Sequence, residues 1–187
     1  MLALCVLLAW MSVCLRNGHS NVHRMLHRLI CAVFLSAYAA GVFWLTLGSR
    51  TAKAEPSAKL ELFWSYRKSL VFLGDVLSVS DASLFEEIVL NVLLFAPLGA
   101  MLAFAWPGRF RGLRGAMLIA VIGACISLAI EVSQWLLRLG LFEFDDVWNN
   151  ALGAVGGFLA FSVLYALGMR LRDRHGSPRG SDAARGA

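Results

Sequence analysis

The feature that most constrains this fold is a series of long apolar blocks. They cover residues 1–15, 29–47, 88–106, 115–137 and 147–169. The last four are each long enough to cross a bilayer, because about 20 helical residues span a hydrocarbon core roughly 30 Å thick. Charged and polar residues are few within the blocks. The pattern therefore predicts an all-α polytopic transmembrane bundle.

Composition supports a membrane protein rather than a soluble domain. Of the 187 residues, 59% are apolar and 16% are charged, against roughly half and a quarter in soluble domains. The block over 1–15 lacks the basic start and the cleavage pattern of a secretory signal. We expect about five spanning helices, or four if this short block lies at the surface or re-enters. Residues 1–169 then form one transmembrane domain, followed by a disordered basic tail over 170–187.

Basic and acidic residues are divided unevenly between the polar intervals, which predicts the orientation. The first and third intervals and the C-terminal tail hold 11 of the 17 lysines and arginines, and the other two intervals hold nine of the 12 acidic residues. Cytoplasmic loops are the ones enriched in Lys and Arg. We therefore expect a multi-pass plasma-membrane protein with its N-terminus outside and its C-terminus in the cytoplasm. The net charge of +5 then faces anionic lipid, and no nucleic-acid partner is expected.

Glu131 lies inside the fourth apolar block, where a carboxylate is costly and is usually functional, paired or both. On a helix it shares one face with Ser127, Gln134 and Arg138. Helix rise places it roughly 9 Å inside the outer end of the block. Arg138, or an amide from a neighbouring helix, could stabilise its charge.

Two other blocks bring polar side chains to the same depth. Glu87 and Asn91 are four residues apart at the start of the third block, and Asp146 and Asn150 are four apart at the start of the fifth. Each pair therefore lies on one helix face. We expect the three helices to form a polar pocket beneath the outer surface. The alternative is that these groups only join the helices by hydrogen bonds.

No cofactor and no resident metal are expected at this pocket. A catalytic metal there would have to be a hard ion held by oxygens of Glu131, Asp145, Asp146 and the amides. Outside the pocket, His19, His23 and His27 are spaced four apart, so a helix would align them as metal ligands. The alternative is a basic interfacial helix, which Arg24 and Arg28 favour. The segment over 69–85 is expected to form a short interfacial helix that covers the pocket.

Three ordered motifs resemble those of the VanZ-like integral membrane proteins. They are NVLLFAPLG at 91–99, IEVSQ at 130–134 and FDDVWNNALGAVGG at 144–157, and the resemblance extends over roughly residues 30–170. The positions that match the family pattern are Asn91, Pro97, Gly99, Glu131, Gln134, Arg138, Asp145, Asp146, Asn150 and Gly153. Ala151 departs from it, because the family commonly has threonine there. The resemblance implies a cell-envelope setting and a link to glycopeptide (teicoplanin) resistance, and it implies no reaction.

Small residues in these motifs are expected to be packing positions. Gly153 and Gly157 form a G-x-x-x-G pair, which permits close approach of two helices. Gly99 is expected to act similarly, and Pro97 permits a break in the third helix.

The favoured hypothesis is a protein that binds an amphiphile, which could be a lipid, a lipid-linked wall precursor or a lipoglycopeptide such as teicoplanin. Its expected ligand-binding residues are Glu131, Gln134, Arg138, Asp145, Asp146, Asn150, Asn91, Ser127 and Glu87. The alternative is an intramembrane enzyme that depends on carboxylates or a divalent metal, or a proton-coupled carrier that uses Glu131. Binding is favoured because no histidine base lies on the outer side and a carrier needs polar groups near the midplane. Membrane lipids are the expected partners.

Overall fold

The computed structural model describes residue 8 and residues 21–52, 57–73, 76–79, 81–106 and 109–175. Long helices account for most of this part of the chain. The helices are α1 (Asn21–Phe43, continued by a π-helical turn at Trp44–Gly48), α2 (Trp64–Ser69), α3 (Ala82–Ala105), α4 (Gly112–Leu136) and α5 (Phe144–His175). The strands are β1 (Ser57–Lys59), β2 (Leu70–Leu73), β3 (Val76–Val79) and β4 (Leu141–Glu143).

Four helices are long and apolar enough to cross a membrane. The candidate spans are Leu29–Gly48, Ala82–Ala105, Gly112–Leu136 and Phe144–Arg174. They coincide with four of the five apolar blocks, so the predicted all-α polytopic bundle is confirmed. The block over 1–15 lies outside the described residues, apart from residue 8. Many large apolar side chains on the outer faces of these helices are exposed, as contact with lipid requires.

Helices α3 and α5 pack with their backbones in close contact. A Cβ atom on Gly153 would lie 2.2 Å from the carbonyl oxygen of Val92, and one on Gly157 would lie 1.8 Å from that of Ala96. Gly99 of α3 meets the backbone of α5 in the same way, at 1.7 Å. The contacts advance in the same direction along both helices, so α3 and α5 are parallel. Only glycine permits this approach.

Helix α1 lies against α3 next to the proline of that helix. Pro97 has no N–H to donate to the carbonyl of Leu93, which interrupts the hydrogen-bond ladder of α3. The hydroxyl of Tyr38 donates to the neighbouring carbonyl of Leu94 at 3.0 Å. This bond joins α1 and α3 at the level where Pro97 interrupts the backbone hydrogen bonds of α3.

The segment between α1 and α3 differs from the prediction. We expected an interfacial helix over 69–85, and this was wrong. The short helix is α2, which ends at Ser69, and it is followed by the antiparallel pair β2–β3, in register from Leu70↔Val79 to Leu73↔Val76. Valine, leucine and phenylalanine at these positions suit an extended chain. Helix α3 then begins at Ala82, because the Asp81 carboxylate accepts a hydrogen bond from the Leu84 N–H at 3.3 Å and caps it.

Two helix ends also differ from the predicted blocks. Helix α4 ends at Leu136 in a Schellman motif, in which the Leu139 N–H donates to Gln134 O at 2.8 Å and Arg138 has a φ of 58°.

Helix α5 continues to His175, six residues past its block. The first part of the predicted tail is therefore helical, and its arginines suit the negative end of the helix dipole. Residues 176–187 lie outside the described part of the chain.

One end of the bundle holds the buried polar residues of the described part of the chain. Strand β1, which follows α1, pairs in parallel with β4, which follows α4, and Lys59 is aligned with Glu143. The C-terminal ends of α1 and α4 therefore lie together. The N-terminal ends of the parallel helices α3 and α5 are at the same end. We call this the polar end. It comprises residues 44–50, 57–73, 76–79, 81–91 and 127–150.

Candidate functional site

Glu131 is a nearly fully buried carboxylate at the polar end. Its side chain is 4% exposed, and its Oε2 accepts a hydrogen bond from the backbone N–H of Glu143 at 3.1 Å. A carboxylate has about four acceptor positions, and this is its single hydrogen bond within the described part of the chain. Burial of a charge with so little compensation is costly. The remaining acceptor positions are available to a ligand, a proton or water.

Glu131 belongs to a group of four interacting carboxylates, which we call the acidic cluster: Glu87, Glu131, Glu143 and Asp146. Asp146 interacts electrostatically with the other three, and Glu131 interacts with Glu87 and Glu143. The four residues come from α3, α4, β4 and α5 respectively. Like charges so close to one another repel, so the cluster favours cations or bound protons.

Arg50 is the arginine that lies beside the acidic cluster. It interacts electrostatically with Glu131, Glu143 and Asp146. A Cβ atom on Gly140 would lie 2.8 Å from its Nη1, so the guanidinium extends across that glycine. Among the described residues, none of the cluster's carboxylate oxygens comes within the 4.0 Å that defines an ion pair with Arg50. Its charge therefore offsets the cluster only in part.

Arg138 does not take the place predicted for it next to Glu131. The prediction continued the polar face of α4 through residue 138, but the helix ends at Leu136 and the chain turns away at Arg138. Its side chain is exposed. The cation beside Glu131 is Arg50, which reaches the cluster from the end of α1.

Glu143 adds a titratable carboxylate outside the spanning helices. Burial raises its pKa above the ordinary value, and the negative charge of Glu87 raises it further. Lys59, aligned with it across the β1–β4 pair, and Arg50 act in the opposite direction. Glu143 therefore binds a proton more readily than an ordinary glutamate, chiefly because it is partly buried.

Beneath the carboxylates, α4 and α5 are joined by a buried polar pair. The Asn150 Nδ2 donates to Ser127 Oγ at 2.7 Å, and the two residues are 5% and 0% exposed. Ser127 lies one turn from Glu131, and Asn150 lies one turn from Asp146. The pair therefore forms a floor under the acidic cluster. Asn150 Oδ1 is buried and has no hydrogen-bond partner among the described residues.

Asn91 occupies the corresponding level of α3. It lies one helical turn from Glu87, on the same face. Its Nδ2 is buried and likewise finds no partner in the described part of the chain. The floor of the cluster thus contains an unsatisfied acceptor on α5 and an unsatisfied donor on α3.

Gln134 makes a structural hydrogen bond between two helix ends rather than taking part in the acidic cluster. Its Nε2 donates to the carbonyl oxygen of Thr46 at 2.9 Å, and its side chain is 2% exposed. Thr46 lies in the π-helical turn that ends α1, where carbonyls lack partners within the helix. Gln134 therefore joins the end of α4 to the end of α1.

Asp145 also has a structural role, because it holds the start of α2. Its carboxylate is fully buried and accepts hydrogen bonds from Phe63 N–H at 2.6 Å, Ser65 N–H at 3.0 Å and Ser65 Oγ–H at 2.6 Å. These are the free N–H groups of a helix N-terminus, where negative charge is favourable. The neighbouring Asn149 Oδ1 accepts a hydrogen bond from the Tyr66 hydroxyl. Burial, and secondarily Asp145, raises the pKa of Tyr66.

The structure thus brings together part of the predicted set. Glu87, Glu131 and Asp146 meet in the acidic cluster, with Ser127, Asn150 and Asn91 beneath them, whereas Gln134 and Asp145 contact other elements and Arg138 faces outward. Sequence reasoning did not include Arg50, Glu143, Thr46, Tyr66 and Asn149. Asn149 adjoins Asn150 in a motif already singled out, and Glu143 lies in an acidic interval. No local pattern marks Arg50.

Metal ligation has no ready-made geometry in the described part of the chain. No group of three or more His, Cys, Asp or Glu side chains is arranged there to hold a metal ion. His19 and the side chains of His23 and His27 lie outside the described residues.

Comparison with known proteins identifies the family to which this architecture corresponds. A family model described as VanZ/LLP1 matches residues 33–165. The match contains every member of the acidic cluster and its floor, and it agrees with the resemblance of the three sequence motifs. No curated protein and no solved structure matches the chain.

Proposed function

Because this chain belongs to the VanZ/LLP1 family of membrane proteins, we propose that it binds an amphiphile whose head group enters the acidic cluster. The chains of that amphiphile then lie in the surrounding lipid, against the exposed apolar faces of the helices. The ligands of this class are lipids, lipid-linked wall precursors and lipoglycopeptides such as teicoplanin. This function would connect the protein to the cell envelope and to glycopeptide resistance.

One observation carries the proposal, namely the buried and poorly compensated carboxylate of Glu131. If the polar groups only joined helices, their hydrogen-bonding capacity would be used between helices. That is the case for Gln134, but Glu131 accepts one bond, and Asn150 Oδ1 and Asn91 Nδ2 have no partner among the described residues. A ligand head group at this depth would supply the missing partners. The enzyme hypothesis would require, in addition, a chemical change in the ligand.

The distribution of basic residues supports binding from the outer leaflet. We propose that the polar end faces the outside of the plasma membrane, because the intervals at the opposite end are rich in arginine and poor in acids. The ligand would then come from the outer leaflet.

This orientation predicts the result of cysteine labelling. In a background without the four native cysteines, Glu61→Cys at the polar end should react with a membrane-impermeant maleimide added to intact cells. Arg109→Cys, between α3 and α4, should react only after the cells are opened. Both positions are exposed, so accessibility within the protein is matched. Labelling of position 109 but not 61 in intact cells would reverse the proposed orientation.

Binding itself is tested with protein extracted gently from its own membrane. Native mass spectrometry of the wild type should show a retained amphiphile, and Glu131→Gln should reduce its occupancy about tenfold or more. A hydrogen bond to a charged group is worth about 1.5–3 kcal/mol, and each 1.4 kcal/mol corresponds to about tenfold in affinity. Glutamine preserves the size of the side chain, so the fold should be retained.

Glu61→Gln is the matched control for this experiment. Glu61 is an exposed acid at the same end, paired with Arg67 at 3.2 Å, and its loss should not change occupancy. Equal occupancy in wild type and Glu131→Gln would contradict the proposal. Glu131-dependent conversion of added lipid or wall precursor, with or without Mg²⁺ or Ca²⁺, would favour the enzyme hypothesis instead.

A further inference from the structure

The chemistry of the acidic cluster indicates which head group it would accept. Within the described part of the chain, the Asp146 carboxylate makes no hydrogen bond, Glu131 accepts one, and Asn150 Oδ1 accepts none although its residue is 95% buried. These are all acceptors. They come from α4 and α5 and lie near the depth at which the head group would bind.

The cations and donors at the same level are fewer. Arg50 is exposed and extends over Gly140, so it lies at the rim of the cluster, and Asn91 Nδ2 is the unsatisfied donor on α3. Lys59 acts on Glu143, and its Nζ lies 3.5 Å from the centre of the Trp64 ring. Four carboxylates therefore have two cations near them, and among the described residues neither cation forms an ion pair with the cluster. A ligand that complements this arrangement brings positive charge and several hydrogen-bond donors.

Resting on the proposed function, we infer that the amphiphile bound by the acidic cluster carries a primary ammonium in its head group. An ammonium has three N–H donors on one compact cation, which can be shared between Glu131, Asp146 and the amide oxygen of Asn150. Charge-assisted hydrogen bonds of this kind are roughly twice as strong as neutral ones. An organic cation fits better than a bare metal ion, because no three His, Cys, Asp or Glu side chains of the described residues are arranged to hold a metal ion.

Three lipid head groups that each contain a phosphate differ in positive charge and in N–H donors. A primary ammonium satisfies both the charge and the acceptors. A trimethylammonium carries the charge but has no N–H to donate, and a glycerol head group has hydroxyls but no positive charge. Since the phosphate is common to all three, any interaction of Arg50 with it cancels in the comparison.

The test uses the purified full-length protein and three phospholipids with identical acyl chains: phosphatidylethanolamine, phosphatidylcholine and phosphatidylglycerol. Lipid retained by the protein is measured by native mass spectrometry during titration with equimolar mixtures. The wild type should retain phosphatidylethanolamine about tenfold or more over each of the others, which corresponds to about one charge-assisted hydrogen bond. Asp146→Asn should reduce this preference to about threefold or less, because it removes one negative charge at constant size.

A second pair of variants keeps the test independent of folding. Glu87 is exposed on the first turns of α3 and belongs to the cluster, whereas the adjacent Glu86 is also exposed and does not belong to it. Glu87→Gln should lower the preference for phosphatidylethanolamine, and Glu86→Gln should leave it unchanged. Equal effects of these two variants would overturn the assignment of the ammonium to the cluster.

The two proposals can fail separately. Retention of phospholipid without preference for phosphatidylethanolamine, or with preference for phosphatidylglycerol, would overturn the ammonium inference and leave amphiphile binding intact. Retention of phosphatidylcholine equal to that of phosphatidylethanolamine would show that charge without N–H donors is sufficient, which also overturns it. If the wild type retains none of the three and no native amphiphile, amphiphile binding fails and the inference fails with it.

Discussion

Gly157→Ala is expected to destabilise the protein strongly, by about 3 kcal/mol, the upper part of the usual range for overpacked cores. The added Cβ would lie 1.8 Å from the carbonyl oxygen of Ala96. That oxygen is part of the α3 backbone and cannot rotate away as a flexible side chain would, so the two helices must separate. The measurement is the free energy of unfolding, or the midpoint of thermal unfolding, of the purified protein in detergent.

The adjacent glycine provides the control for this prediction. A Cβ on Gly156 meets nothing within 4 Å, and alanine is favoured over glycine in helices by about 1 kcal/mol. Gly156→Ala should therefore be neutral or slightly stabilising. If Gly156→Ala and Gly157→Ala shift unfolding equally, the close approach of α3 and α5 is not what makes glycine necessary at 157.

Asp145→Ala is expected to release α2 from the bundle. The substitution removes an acceptor that receives three hydrogen bonds, and it leaves the N–H groups of Phe63 and Ser65 unsatisfied. Hydrogen bonds to charged groups contribute about 1.5–3 kcal/mol each, so we expect a local loss of about 3 kcal/mol or more. Hydrogen exchange should become faster at the amides of residues 63–69.

The spanning helices should keep their protection in this variant, since Asp145 contacts α2 rather than the core. Asp173→Ala supplies the comparison, because Asp173 is an exposed acid near the other end of α5 and should leave exchange in α2 unchanged. Unchanged protection of residues 63–69 in Asp145→Ala would show that α2 is held by other contacts. Asp145 would then be available again as a ligand-binding residue.

Adjacent residues in one motif of α5 have separate tasks in the structure. In FDDVWNNALGAVGG, Asp145 and Asn149 contact α2, Asp146 and Asn150 belong to the acidic cluster and its floor, and Gly153 and Gly157 contact α3. Side chains on an α-helix repeat about every four residues on one face, so neighbours in sequence point in different directions. The motif therefore combines positioning, a candidate binding surface and helix packing within a few turns.

The sequence alone determined the spanning helices and the polar level they share. Four apolar blocks became four helices because lipid leaves the backbone no other way to satisfy its hydrogen bonds in a single segment. The four-residue spacing also placed Ser127 in line with Glu131, and Asn150 in line with Asp146, because helix geometry fixes which side chains share a face. Those relations depend on local periodicity, which a sequence displays directly.

Tertiary structure decided which groups meet across helices. Arg50 replaces Arg138 beside Glu131 because α4 ends at Leu136 and the end of α1 lies next to Gly140. Asp145 turns to α2, and Gln134 to Thr46, because each satisfies backbone groups left free at a helix end. Residues 70–73 and 76–79 pair as antiparallel strands rather than forming a helix. These contacts join residues as many as 88 positions apart in the chain, and they depend on where helices end and cross, which no local pattern of residues specifies.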